Sequence, residues 1–200
     1  VLAIILARSL RFAGAKDCWE RVAWAFKLSF QGEGTPFQWT MRGKVNGFSV
    51  EVKVLTIGAR ERAPKEPAPT DKKKKKKKKK RGQEQDVSAV TRISVVIPSG
   101  FPADGTMRRR GRMARLAGPA SGILTGDRKF DRLIEVRGTV TEILAHLNER
   151  VRRQALETIP EFGVIVEKRR LQWDYNGHLT KSRMMTAMLK ALVSLAGALK

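Results

Sequence analysis

The 200-residue chain carries 41 lysine and arginine residues against 19 acidic ones, a net charge of +22 at pH 7. Its length suits one domain with an insertion, and its charge predicts a polyanionic partner such as an acidic membrane surface, an acidic protein or nucleic acid. The single cysteine, Cys18, excludes an intramolecular disulfide framework and any zinc site built from several cysteines.

The N-terminal segment 1–14 combines the apolar run Val1–Leu6 with the basic residues Arg8 and Arg11. A membrane-spanning helix needs about 20 apolar residues, so this run is too short to span by itself. We interpret 1–14 as the end of a membrane anchor and its basic juncture, which would place the following domain on the cytoplasmic side. The alternative is an ordinary terminal helix packed on a cytoplasmic domain.

The first half of the domain is predicted to hold a helix, a short strand and a hairpin. Helical spacing of apolar residues extends over Asp17–Lys27 after an acidic capping residue, and Leu28–Phe30 follows as a short strand. Apolar and polar residues then alternate over Phe37–Val45 and Phe48–Val54. The intervening Asn46-Gly47 favours the positive φ angles of a type I′ turn, so the two runs predict a β-hairpin.

A compositional break at residues 58–88 separates this hairpin from the next strand, Thr91–Ile97. The segment begins with scattered prolines, continues with nine consecutive lysines and Arg81, and has almost no apolar residues. Like charges repel one another, and nothing apolar offsets the entropy lost on ordering. We therefore predict a disordered Pro/Lys-rich insertion within one domain that otherwise spans 15–200.

The second half is predicted to contain further strands, a second hairpin and two helices. In chain order, an exposed loop or short helix covers Phe101–Gly126 and a strand covers Phe130–Val136. A helix then covers Thr141–Thr158, with a kink at Asn148 and Pro160 after its end. A hairpin of Val164–Val166 and Leu171–Tyr175, which turns near Lys168-Arg169, precedes the last helix, Thr180–Leu199. The fold class is α+β, with an antiparallel sheet built from two hairpins plus additional strands and covered by about three helices. Helix plus hairpin occurs in both halves, which suggests an internal duplication, although no sequence repeat accompanies it.

Residue types that carry catalysis are sparse. Neither His146 nor His178 has another histidine or a cysteine at ligand spacing, which argues against a metal site. Asp127 and Asp131 lie among basic residues, which favours local charge balance over acid–base chemistry. Cys18 at the start of the predicted helix is interpreted as a core or boundary residue. We therefore predict a protein that is not an enzyme and needs no cofactor.

Two basic segments are the candidate binding residues. A lysine run beside a membrane would bind acidic lipids with roughly 1 kcal/mol per basic residue near the surface, and the same run would bind nucleic acid in a salt-dependent manner. The alternatives are a solvated low-complexity expansion for the first segment and an exposed solvating loop for the second. The candidates are Lys72, Lys73, Lys74, Lys75, Lys76, Lys77, Lys78, Lys79, Lys80 and Arg81, together with Arg108, Arg109, Arg110, Arg112 and Arg115.

Four spacings are distinctive: the Trp-x-x-x-Ala start at Trp19, the Gly-x-Val-x-Gly pattern beginning at Gly43, the Gly-Asp pair at Gly126 that precedes a Phe-Asp pair, and the Val-x-Gly pattern at Val136. Together they resemble a loose group of uncharacterised bacterial single-span membrane proteins. This resemblance covers about Trp19–Val54 and Thr125–Leu199. It implies a cytoplasmic α+β domain on a membrane stalk, without an established activity.

These observations lead to two hypotheses for function. The first is a non-catalytic interaction module that is tethered to a membrane and contacts an acidic membrane surface or a protein partner. The alternative is a basic accessory protein that binds nucleic acid through the lysine run and the arginine cluster, with affinity that falls steeply as salt rises. The sequence indicates no small-molecule substrate.

Overall fold

The computed structural model describes residues 2–33, 35–57, 88–98, 101–111 and 122–200, with side chains from residue 14 onwards except at positions 57 and 88. Within these ranges the chain is an α+β protein with one eight-stranded antiparallel sheet and five α-helices. The predicted fold class is therefore confirmed, with more helices than the three expected. The insertion 58–88 falls outside the described residues except for Ser88, which begins a strand.

The elements and their order in the sheet are as follows. The helices are α1 (Leu2–Phe26), α2 (Arg128–Leu133), α3 (Val140–His146), α4 (Glu149–Phe162) and α5 (Ser182–Leu199), and a 3-10 turn covers Pro36–Gln38. The strands are β1 (Ser29–Gln31), β2 (Thr40–Val45), β3 (Phe48–Ile57), β4 (Ser88–Val96), β5 (Thr106–Arg109), β6 (Ile134–Arg137), β7 (Ile165–Glu167) and β8 (Arg170–Asn176). In the sheet the strands lie in the order β1-β2-β3-β4-β8-β7-β5-β6.

Both predicted hairpins are confirmed. Strands β2 and β3 pair directly beside a two-residue turn in which Asn46 has a φ of 51° and Gly47 a φ of 84°. Strands β7 and β8 turn through Lys168 and Arg169, whose φ angles of 51° and 56° are also positive. Two consecutive positive φ angles are typical of the type I′ turn, whose twist matches that of the flanking strands.

Helix α1 is longer than predicted. It begins at Leu2, whereas the sequence pattern predicted a start at Asp17. Residues 2–16 are dominated by alanine, leucine and arginine, which are strong helix formers, so the helix continues through the position where a cap was expected. The predicted start of this helix at Asp17 is therefore wrong. No helix in the described ranges has the length and hydropathy that a crossing of a bilayer requires.

The segment predicted as a loop or short helix over Phe101–Gly126 contains strand β5. This strand pairs with β6 over four residues and with β7 over two. Its only large apolar residue is Met107, which is fully buried, so the local sequence carries almost no strand pattern. Hydrogen bonds to strands 25 or more residues away determine this element, and strand propensity does not reveal them.

The predicted strand over Phe130–Val136 is partly wrong, because its first half is helix α2. The Asp127 carboxylate accepts hydrogen bonds from the backbone N–H groups of Lys129 and Phe130, which caps the helix. The Asp131 carboxylate accepts from Thr125 and from the Gly126 N–H group, which holds the preceding loop against the helix. Both aspartates therefore bind backbone groups rather than simply balancing neighbouring charges.

The single kinked helix predicted over Thr141–Thr158 is two helices, α3 and α4. Asn148 separates them and acts as the N-cap of α4, with its side-chain oxygen accepting a hydrogen bond of 3.0 Å from Val151 N. Helix α4 then continues past Pro160 and ends at Gly163, which has a left-handed φ of 71°. Pro160 has no N–H group to donate to the carbonyl oxygen four residues earlier, and the last residue of the helix lies two residues after it.

We expect Asn148→Ala to lower the free energy of unfolding by about 1 kcal/mol, because it leaves an N–H group in the first turn of α4 without its cap. Asn148→Asp keeps a capping oxygen, so its free energy of unfolding should stay close to that of the original protein. Urea unfolding of the three proteins tests this prediction. Equal losses in the two variants would show that the amide group matters for a reason other than capping.

The core lies on one face of the sheet. Side chains that are direct cross-strand neighbours point to the same side of a sheet. A buried row crosses it through Val50, Val95, Leu171, Val166, Met107 and Val136. Helices α1, α4 and α5 contact one another or the sheet and bury their apolar stripes in the same core cluster.

Candidate anion-binding site

The structure describes only three of the basic residues that were predicted to bind an anion, and they differ in exposure. Lys72–Arg81, Arg112 and Arg115 lie outside the described residues. Arg108 and Arg109 are exposed on β5, whereas Arg110, the next residue, is only 3% exposed.

Arg110 is a structural residue of the core boundary. Its Nε atom donates a hydrogen bond of 2.8 Å to the Asp131 carbonyl oxygen, and its backbone N–H donates to the Leu133 carbonyl oxygen. Both bonds connect the end of β5 to helix α2. The expectation that Arg110 is exposed is therefore wrong, and a large polyanion has no access to its guanidinium group.

The face of the sheet opposite the core is polar, and carboxylates compensate most of its basic side chains. Glu135 is held between Arg108 and Arg137, with N–O distances of 2.8 and 2.7 Å. Arg92 makes a bidentate pair with Asp174, each hydrogen bond measuring 2.8 Å. Such pairs occupy the guanidinium groups that an incoming anion would need.

A third cluster on the polar face has Glu51 between Arg42 and Lys53, at 2.8 and 3.1 Å. Partial burial acts to raise the pKa of Glu51, but the hydrogen bonds from Lys53 and Arg42 outweigh it and hold the pKa below its ordinary value of 4.5. Its stabilising contribution is thus present above that value and is lost as the pH falls through the lower pKa of the folded protein. The carboxylate is ionised at neutral pH and compensates both cations.

A cleft of about 770 Å³ lies beside this polar face at the β2–β3 turn and shares Lys44 with it, but has the opposite electrostatic character. The end of α1, the β2–β3 turn, the start of α4 and the second half of α5 enclose it. Its cationic rim consists of Lys27, Lys44, Arg150 and Lys190. The lining contains no aspartate or glutamate, and no ion pair joins any of the four cations to a residue in the described part of the chain.

The lining of this basic cleft is also apolar in part. Phe48 and Val193 are 7% and 5% exposed and belong to the core, while Phe26 and Val45 are half-buried beside them. Pockets that bind small ligands are commonly 300–1,000 Å³ in volume and mostly apolar, with a few polar groups that fix orientation. The volume of the cleft lies in this range, about half of its lining residues are apolar, and its polar residues are the four cations together with Asn46 and Ser194.

Local structure determines where each cation lies. Lys27 follows α1 with a φ of 55°, and Leu28 N donates to the Ala23 carbonyl oxygen, which is the hydrogen-bond pattern of a Schellman cap. Lys44 precedes the β2–β3 turn by one residue, and Arg150 lies in the first turn of α4 beyond its Asn148 cap. Helix boundaries and a hairpin therefore converge on one site.

Sequence reasoning did not find this site, because its cations come from four separate elements. Lys190 was recognisable only as one of several basic residues on the last helix, and Arg150 only as one of the arginines at positions 150, 152 and 153. Lys27 and Lys44 lie in other elements, and nothing in the sequence connects the four residues. The only usable signal is that Lys27, Lys44 and Arg150 lie near a helix end or a tight turn, whereas Lys190 lies in the middle of α5. Assembling the four requires the tertiary structure.

The remaining candidate residues have structural positions. Cys18 is buried in the core, and burial raises the pKa of its thiol, with Arg21 acting weakly in the other direction. Burial lowers the pKa of His178, whose ring packs at 5.0 Å from the ring of Phe37. The interpretation of Cys18 as a core or boundary residue is confirmed.

Three aromatic side chains on or beside the strands belong to the core rather than to a binding surface. Trp39 and Trp173 are buried and Tyr175 is half-buried against the core. Within the described residues no group of three or more histidine, cysteine or acidic side chains is arranged to hold a metal ion. Comparison of the chain with protein-family models, curated proteins and solved structures gives no match.

Proposed function

We propose that this protein is a non-catalytic interaction module whose α+β body is held at an acidic membrane surface by the N-terminal part of helix α1. The observation that carries the proposal is the continuity of α1. One helix joins the apolar run Leu2–Leu6 to Trp19, which is completely buried in the core.

The length of this helix gives the proposal a geometry. With a rise of about 1.5 Å per residue, Leu6 lies roughly 14 Å along the axis from Ala15, the first buried residue in the described part of α1. A helical connection transmits orientation, unlike a flexible linker. Contact between the apolar run and a bilayer would thus hold the body at a defined distance, with Arg8 and Arg11 near the acidic headgroups.

Vesicle binding tests the proposal directly. The full chain is sedimented with phosphatidylcholine vesicles that contain, or lack, an acidic phospholipid, at physiological salt. We expect binding to the acidic vesicles, and we expect Ile4→Gln with Ile5→Gln to weaken it at least about tenfold, because two apolar side chains leave the interface. Glutamine preserves helix propensity, so α1 should persist.

The matched control is Val140→Gln with Leu144→Gln, two apolar residues that are 53% and 41% exposed on α3. These substitutions remove similar apolar surface and should leave vesicle binding unchanged. An equal loss in both double variants, or no binding to acidic vesicles, contradicts the proposal. Tight binding to duplex DNA under conditions where vesicles do not bind would favour the nucleic-acid alternative.

A further inference from the structure

We infer that the basic cleft binds an anionic amphiphile, a molecule in which a phosphate or carboxylate group is attached to an apolar chain. Four cations on the rim would contact the anionic group, and the buried Phe48 and Val193 would contact the chain. The two halves of this ligand chemistry correspond to the two kinds of surface in the cleft.

Electrostatic comparison with the polar face of the sheet supports an anion in this place. On the polar face, Glu51, Asp174 and Glu135 each hold one or two basic side chains at 2.7–3.1 Å. In the cleft, four cations share one cavity without a carboxylate in its lining. Like charges gathered around one concavity repel one another, and a bound anion relieves that repulsion.

The apolar part of the lining distinguishes this ligand from a free inorganic anion. Phe48 and Val193 belong to the core, and a small part of each side chain is exposed in the cleft. Gly197 leaves space above them, since a Cβ atom there would contact only Phe48 Cε2, at 4.0 Å. An apolar chain placed on this surface would remove it from water, a gain of about 25 cal/mol per Å² buried. An inorganic phosphate ion would leave the same surface wet.

The cleft lies at the C-terminal end of α1, and the apolar run Leu2–Leu6 lies at the other end. Twenty or so residues of helix separate them, which is about 30 Å. A bilayer that contacts the run end-on is too far away to fill the cleft, so the ligand arrives as a dispersed molecule. The inference consequently stands apart from the proposed membrane association, and its test uses monomeric ligands.

Calorimetric titration of the full chain with four probes tests the inference. Dihexanoyl phosphatidic acid and decanoate represent the phospholipid and fatty-acid sources of the same chemistry. Inorganic phosphate supplies charge alone, and dihexanoyl phosphatidylcholine supplies the chains without net charge. We expect at least one of the two anionic amphiphiles to bind about tenfold or more tightly than inorganic phosphate and than dihexanoyl phosphatidylcholine. The amphiphile that binds more tightly shows whether the cleft prefers a phosphate or a carboxylate group.

Two double variants locate the binding. Arg150→Gln with Lys190→Gln removes two rim cations, and the loss of two charge-assisted hydrogen bonds should weaken binding of the amphiphile at least about 100-fold. Arg153→Gln with Arg183→Gln removes the same charge from the same two helices at exposed positions outside the cleft, and should change affinity less than about twofold. Both pairs lie on the surface, so both proteins should fold.

Gly197→Leu separates the apolar contribution from the charge. The substitution extends a side chain towards Phe48 and keeps all four cations. It should therefore weaken binding of the amphiphile and leave the affinity for inorganic phosphate unchanged. Equal weakening by the two charge variants, or equal affinity for amphiphile and phosphate, would overturn the inference. Neither result bears on vesicle binding, which depends on the opposite end of α1.

Discussion

Replacing Trp19 with alanine is expected to lower the free energy of unfolding by about 3–5 kcal/mol, the usual cost of truncating a buried aromatic residue. Trp19 is completely buried, and its ring packs against Phe30 and Trp39 at centroid distances of 6.1 and 5.8 Å. Its Nε1 atom donates a hydrogen bond of 2.9 Å to the Leu179 carbonyl oxygen. The substitution removes all of these contacts together.

The hydrogen bond from Trp19 adds to the packing loss because it connects distant parts of the chain. Leu179 lies three residues before the first residue of α5, so the indole hydrogen bond connects α1 to the loop that leads into the last helix. A buried carbonyl oxygen left without a donor costs about 1–3 kcal/mol. Domains of this size have a total stability of about 5–15 kcal/mol, so Trp19→Ala should remove a large part of it. Urea unfolding, followed by circular dichroism, measures the loss.

Trp24→Ala is the matched control, because Trp24 lies on the same helix and is 85% exposed. Its truncation should change stability by no more than about 0.5 kcal/mol. Trp19→Phe keeps most of the packing but cannot donate the hydrogen bond, so it should fall between the other two variants. Similar losses at positions 19 and 24 would mean that helix propensity rather than burial governs α1.

Predictions from sequence were correct where the determining interactions are local. The two hairpins follow from strand alternation interrupted by a turn that tolerates positive φ, as at Asn46-Gly47. The helix predicted over Thr180–Leu199 is α5, and Met185 and Leu192, which share one face at helical spacing, are both buried. These elements can be predicted from about 20 consecutive residues or fewer.

Predictions failed where partners are distant or where a side chain binds the backbone. Strand β5 exists because β6 and β7 supply its hydrogen bonds, although Met107 alone provides apolar character. Helix α2 replaces a predicted strand because Asp127 caps it, a role that the surrounding basic residues concealed. Strong helix propensity before Asp17 likewise outweighed a capping pattern at that residue.

The candidate site illustrates the same limit. The basic residues that draw attention in the sequence are consecutive, as in Lys72–Arg81. The cations of the cleft come instead from positions up to 163 residues apart, between Lys27 and Lys190. Charge density along the chain is therefore a poor guide to charge density in space when helix ends and turns assemble the site.

Replacing Lys72–Lys80 with nine glutamines should cause the largest loss of polyanion binding. A basic residue near an acidic bilayer contributes about 1 kcal/mol, so even three contacting lysines would account for a loss of more than 100-fold. For duplex DNA, each phosphate neutralised adds about 0.9 to the slope of log affinity against log salt concentration, so that slope should fall by about 3. Titration of acidic vesicles and of DNA over a range of salt measures both quantities.

The control variant has nine arginines in place of Lys72–Lys80, which preserves the charge. Its affinity for acidic vesicles and for DNA should stay within a few-fold of that of the original protein. The body of the protein keeps the remaining charge, since removing the ten positive charges of Lys72–Arg81 from +22 leaves +12. If the glutamine variant still binds DNA tightly at physiological salt, the folded body carries a nucleic-acid surface and the alternative function gains. If it loses DNA binding but keeps the part of its vesicle affinity that depends on Ile4 and Ile5, charge and apolar contact act separately, as expected for a module held at a membrane.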